Sequence, residues 1–151
     1  MKTIEYVVGF LFDSPLHDAR VVLITKNHPE WQAGHRNGIG GKIEPGESGL
    51  EAMRREFREE AEADVIDWEH FCTIHDTGHE TQGVVHFYRS FAQVNIRSMT
   101  DEQVLWTPIK VLHNWPIMPN LRWLIPMALQ GPDGLVGNVW PYVVRESDGV
   151  V

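Results

Sequence analysis

Cysteine is almost absent: Cys72 stands alone in 151 residues. An internal disulfide is therefore excluded, and the usage suits a reducing compartment such as the cytoplasm. No stretch reaches the roughly 18 consecutive apolar residues of a membrane-spanning helix, and the N-terminal run MKTIEY lacks the layout of a signal peptide. Positive charge is scarce as well, with 13 Lys and Arg against 21 Asp and Glu, a formal net charge of −8. Such a balance argues against non-specific binding to a nucleic-acid polymer, which needs a basic surface. A small anionic substrate remains compatible, because a bound divalent cation reverses the local field. There is no internal repeat, low-complexity segment or interdomain linker, so residues 1–151 read as one domain. Apolar and charged fractions of 42% and 23% are ordinary for a chain with a packed core.

Residues 3–12 and 20–25 are rich in β-branched and aromatic side chains and predict two strands, joined through residues 13–19. Residues 27–41 hold Pro29, Gly34, Gly38, Gly40 and Gly41, and predict a loop that approaches something closely. Ser48 and Glu51 have the spacing of a capping box. A helix is expected from there to about Glu62, with Leu50, Met53, Phe57 and Ala61 on its apolar face. Strands are expected over residues 65–74, 83–94 and 103–109, and a helix over 119–130 that Pro126 kinks or limits at its first turn. Pro132-Asp133-Gly134 predicts a turn and residues 136–144 a last strand. Mixed strands with two separated helices give an α+β or α/β sandwich.

Glu56, Glu59 and Glu60 are three carboxylates within five residues, directly after the glycine-rich segment. At about 100° per residue they fall within an arc of about 100° on one helix face. Like charges so close raise one another's pKa unless a cation sits among them. The plain alternative is a solvated acidic face paired with Arg54, Arg55 and Arg58. Against it stand the fixed distance from the glycine-rich segment and a further carboxylate, Glu47, eight positions before Arg55. Glu47 and Arg55 are suited to a charge-assisted hydrogen bond that holds loop to helix. The segment is neither a Walker loop, since Gly41-Lys42 is followed by Ile43, nor a dinucleotide fingerprint, which from Gly38 needs glycine at position 43.

Gly41, Glu47 and the run Arg55-Glu56-Phe57-Arg58-Glu59-Glu60 together resemble the signature of the Nudix hydrolases, over residues 41–63. The resemblance implies the α/β/α sandwich of that family, built on a mixed central sheet with the signature loop and helix. It implies that Glu56, Glu59 and Glu60, with Gly41, hold Mg²⁺ or Mn²⁺, and that one of the glutamates orients or deprotonates the attacking water. Glu47 and Arg55 would be structural. The family often adds a carboxylate from a late loop, for which Glu102 is the candidate and Asp101 the second choice. Lys42 would place positive charge near the phosphates. The family pattern continues with glycine, a left-handed helix end, where this chain has Glu62, so the end of the helix is left open.

A narrower resemblance, to the oxidised-purine nucleoside triphosphatases of the family, rests on Asn37-Gly38-Ile39-Gly40-Gly41-Lys42 and on the order of Trp106, Trp115-Pro116 and Trp123. It implies that Asn37 reads a base edge. Two aspartates that would read the purine are replaced by Ile117 and Met118, leaving Asn120 as a substitute reader and Trp115 as a stacking surface. Trp115 in the core and Asn120 as a helix N-cap are the structural alternatives. The ADP-ribose branch marks itself with a proline where Gly78 and His79 stand, and the dinucleotide branch with a tyrosine near Glu80 and Thr81. His70, His75, His79 and His86 have no familiar metal spacing and read as surface or packing residues. The expectation is a Mg²⁺-dependent pyrophosphohydrolase of a purine nucleoside triphosphate, oxidised or not. Hydrolysis of ADP-ribose or a nucleotide sugar, and a non-catalytic nucleotide-sensing domain, are the alternatives. A small nucleotide is the expected partner, and a homodimer is left open.

Overall fold

A computed structural model describes residues 3–16, 18–76, 82–131 and 141–146. Among them the strands are β1 (Thr3–Phe12), β2 (Arg20–Thr25), β3 (Arg36–Asn37), β4 (Ile39–Lys42), β5 (Glu69–Asp76), β6 (Gln82–Phe91), β7 (Val104–Pro108) and β8 (Tyr142–Glu146). The α-helices are α1 (Gly49–Ala61) and α2 (Leu121–Gln130). The sheet runs in the order β3-β2-β1-β6-β5-β8, with β4 pairing with β1 and β7 with β2. It is mixed: β1 lies parallel to β6 over its whole length and β5 parallel to β8, while the other pairings are antiparallel.

Alternation along β1 and β2 divides the interior into two cores. Val7, Leu11, Val22 and Ile24 pack on one side with Met53, Phe57 and Ala61 of α1. Phe10, Phe12, Val21 and Leu23 pack on the other with Leu121, Leu124 and Ile125 of α2. The result is helix, sheet, helix, the α+β sandwich that the sequence predicts. In β5 the pairing skips Phe71 between His70 and Cys72, a bulge. That extra residue is why the consecutive Phe71 and Cys72 both belong to the α2 core.

Several boundaries differ from the sequence reading. Residues 27–41 are not one loop, because β3 and β4 lie within them. A strand this rich in glycine forms since it must lie against its neighbours: a Cβ at Gly40 would strike the backbone of Val7. Leu50 is exposed, and Ala52 joins Met53, Phe57 and Ala61 in the core instead. Helical side chains lean toward the N-terminus, so the second residue of α1 projects past the helix start. Residues 65–68 are irregular although Val65 and Trp68 are buried, and β5 begins only at Glu69. Likewise β6 ends at Phe91, β7 gives way to a 3-10 turn over Ile109–Asn114, and α2 starts at Leu121 and continues through Pro126. Pro132-Asp133-Gly134 and the first half of the expected last strand lie outside the described residues, as does His79.

Candidate metal and nucleotide site

Helix α1 starts where its capping box puts it. The Glu51 N–H donates to Ser48 Oγ at 3.1 Å and the Ser48 N–H donates to Glu51 Oε1 at 3.3 Å. It ends at Glu62, which takes the left-handed conformation (φ 57°, ψ 29°) that the family assigns to glycine, and donates its N–H to the Arg58 carbonyl. The helix therefore ends in a left-handed residue although that residue is not a glycine. An L-residue there costs roughly 1–2 kcal/mol in backbone strain.

Arg55 ties this helix to the signature loop. Its Nε and Nη2 donate to the two oxygens of Glu47 at 2.7 and 2.9 Å, and Nη2 also donates to the Lys42 carbonyl at 3.0 Å. Nη1 reaches Glu56 at 2.8 Å and Glu59 at 3.3 Å. The hydrogen bond from Arg55 holds Glu47 below the usual carboxylate range despite the opposing effect of burial. The same pairing raises the Arg55 guanidinium.

The carboxylates farther along α1 are in the opposite condition. Burial pushes Glu56 up, with Arg55 only partly offsetting it. Glu60 is pushed to about 7, first by burial and then by Glu56, with Glu102 and Glu59 adding to it and Lys26 opposing. Its Oε2 is buried with no hydrogen-bond partner. Glu59 is more exposed, at 57% of its side chain. Gly41 packs so closely on Glu56 that a Cβ there would strike the carboxylate, which explains the glycine. Among the described residues no three His, Cys, Asp or Glu side chains are already gathered at ligating distances. Arg55 draws Glu56 and Glu59 toward itself. Even so, the donors are all hard oxygens, one is orphaned, and the backbone beside them is bare, a set that fits Mg²⁺ or Mn²⁺.

Glu102 is buried beside this cluster, at 4% exposure. Burial raises its carboxyl, but the N–H of Asn27 at 2.7 Å, Lys26 Nζ at 3.1 Å and the N–H of His28 together hold it below the usual range. Lys26 is the site residue that sequence reasoning misses; it lies 76 positions from Glu102, and no local spacing links the two. Lys42 is exposed at the end of β4.

Asn37 pairs with Ile24, whose side chain belongs to the α1 core, so the register puts Asn37 on the face of the carboxylates. Trp115 and Asn120 are not brought to that face. Arg36, opposite Thr25, donates to Thr107 on the α2 side and lies 4.1 Å over the Trp115 ring. Trp115 is 43% exposed and not a core residue. Asn120 occupies the N-cap position of α2 but its side chain makes no capping bond. His70 and His86 hydrogen-bond through Thr73, and His86 pairs with Glu5.

The family model of the NUDIX domain matches residues 5–126. Among solved structures, the NUDIX domain of Shewanella oneidensis NrtR complexed with ADP ribose superposes with a TM-score of 0.72 at 20% identity, over 85% of this chain and 87% of that one. The MutT protein of Bacillus halodurans gives 0.71 at 21% identity, over 96% and 91%. The MutT structure from work on Aliivibrio salmonicida and Vibrio cholerae gives 0.67 at 24%, over 85% and 98%. No curated protein matches the chain. These likenesses establish the fold, and the family match takes in β2 to β7, most of β1, and α1 with its loop. The chain belongs to the Nudix family and is a hydrolase of phosphoric anhydride bonds.

Proposed function

We propose that the protein is a Mg²⁺-dependent pyrophosphohydrolase that cleaves a purine nucleoside triphosphate to the monophosphate and pyrophosphate. The observation that carries this reading is the buried Oε2 of Glu60, which has no hydrogen-bond partner among the described residues, beside Glu56 and Glu102. Mg²⁺, or Mn²⁺ in its place, would neutralise phosphate charge and acidify a water when bound. Glu56 and Glu60 would hold it, with the Gly41 carbonyl beside them. Glu59, the exposed member, has room to orient and deprotonate the attacking water. Glu102 serves as an anchor, since both of its oxygens accept hydrogen bonds from the residue 26–28 segment. Lys42 meets the phosphates from the loop. Asn37 reads the base from the same face, while Trp115 and Asn120 border the opposite side of β3 and enter only with a ligand that wraps that edge.

ADP-ribose is the second substrate reading, favoured by the likeness to a domain complexed with it. A panel of normal and oxidised purine nucleoside triphosphates, ADP-ribose and dinucleotides, assayed with Mg²⁺ for pyrophosphate and phosphate separately, decides between them. Pyrophosphate from triphosphates is expected; turnover of ADP-ribose alone would replace the first reading, and binding without turnover across the panel would favour a sensing role. In the same assay Asn37→Ala should flatten preference among bases more than it slows the poorest substrate. An unchanged preference would remove Asn37 from base reading.

A further inference from the structure

The Asn37 side chain does not stand alone. The backbone N–H of Gly38 donates to Asn37 Oδ1 at 2.8 Å. A backbone N–H only donates, so this atom is fixed as the oxygen and the other as the amide nitrogen. That nitrogen donates to Gln32 at 3.3 Å, which in turn fixes the facing Gln32 atom as Oε1. The polarity therefore runs one way, from the backbone through Asn37 to Gln32, and leaves the Gln32 Nε2 amide with two N–H groups to offer. Both side chains are half-buried.

The turn that carries Gln32 is held in place. Its N–H donates to the Pro29 carbonyl at 2.9 Å, and the His35 N–H donates to the Gln32 carbonyl at 2.9 Å. At its root, Glu102 accepts from the N–H groups of Asn27 and His28. The preceding residue, Trp31, is 69% exposed and offers an open aromatic face.

We propose that Gln32 is a specificity-determining residue, orienting with Asn37 a row of N–H donors that selects guanine-type oxopurine nucleotides over adenine-type aminopurine nucleotides. The inference rests on the purine nucleotide reading above. A guanine presents two adjacent acceptors, O6 and N7, whereas an adenine puts an amino group beside N7. Donors facing that amino group leave buried polar groups unpaired, and such mismatches discriminate far more strongly than shape does. Stacking on Trp31 is blind to the base, since every base has a π face.

The test compares kcat/KM for dGTP and dATP with Mg²⁺ in the wild type, Gln32→Glu and Trp31→Ala, together with calorimetric binding of dGDP and dADP without metal. Gln32→Glu keeps an acceptor toward Asn37 but replaces the outward donors with an acceptor oxygen. It should lower the dGTP to dATP ratio by about tenfold, with the change in KM rather than kcat, and lower the dGDP to dADP binding ratio alongside. Trp31→Ala should raise KM for both bases by a similar factor. A fall in the binding ratio without hydrolysis of either triphosphate would support the role of Gln32 while sinking the hydrolase reading. Unchanged ratios in Gln32→Glu, or a wild-type preference for adenine, would overturn the proposal whatever the turnover.

Discussion

Glu47 and Glu60 are both glutamates at one end or the other of the same loop and helix, and their environments are opposites. Glu47 has both oxygens occupied by one guanidinium and ionises more readily than usual. Glu60 is buried among other carboxylates, has an orphaned oxygen and ionises only near pH 7. The charge that holds the loop in place is satisfied within the protein. The charge buried among the other carboxylates is left for something else to satisfy. A solvated acidic helix face would show neither extreme, since exposed ion pairs contribute little and perturb little.

The largest break in this contrast is expected from Glu60→Gln. Turnover with Mg²⁺ should fall by at least about a hundredfold, since metal-held charge stabilisation amounts to several kcal/mol. The melting temperature of the metal-free protein should hold or rise, because a buried unpaired charge has been removed. Steady-state rates and a thermal melt check both, and an active Glu60→Gln enzyme would end the ligand assignment.

Arg55→Lys acts on the other half of the comparison. A lysine cannot bridge both Glu47 oxygens and the Lys42 carbonyl, so stability should drop by about 1–3 kcal/mol in a denaturant titration. The acid side should change too. A carboxyl with a lowered folded pKa stabilises the fold above its unfolded value, and that stability is lost as pH falls through the folded one. The wild type should therefore lose more stability on acidification than Arg55→Lys does. Equal slopes would mean that Glu47 draws its low pKa from elsewhere.

Glu62→Gly should have the smallest effect and the opposite sign. It relieves the left-handed strain at the end of α1 at the cost of an exposed contact to Arg97, for a gain of up to about 1 kcal/mol. Destabilisation would show that the Glu62 side chain matters more than its backbone.

The parts of this picture visible in the sequence are those set by local spacing. The capping box, the Glu47–Arg55 pair and the carboxylate face lie within 14 residues of one another, from Glu47 to Glu60, and the structure reproduces the cap and the pair as read. The strands at residues 3–12 and 20–25 likewise stand where their β-branched and aromatic composition puts them. What the sequence hides depends on contacts between distant segments. Lys26 meets Glu102, and the glycine segment becomes a strand because β1 is there to pair with it. For Trp115 the sequence favours a core position slightly over a base platform, and the residue is neither buried nor on the face of Asn37. The bulge at Phe71 and the irregular stretch at residues 65–68 follow from packing against Phe57 and β6, which no local pattern encodes.

A melting-temperature series at pH 5 and pH 8, with and without Mg²⁺, on the wild type and Glu60→Gln tests the cation requirement most directly. Glu60, with its folded pKa raised to about 7, binds a proton in the folded state that the unfolded chain has already released. Metal-free stability from this group is therefore present below the ordinary carboxylate range and lost as pH rises through about 7. Mg²⁺ should restore it at pH 8, with a clear rise in melting temperature that shrinks at pH 5 and is largely missing in Glu60→Gln. An equal Mg²⁺ effect in the two proteins at pH 8 would contradict the assignment of Glu60 to the metal.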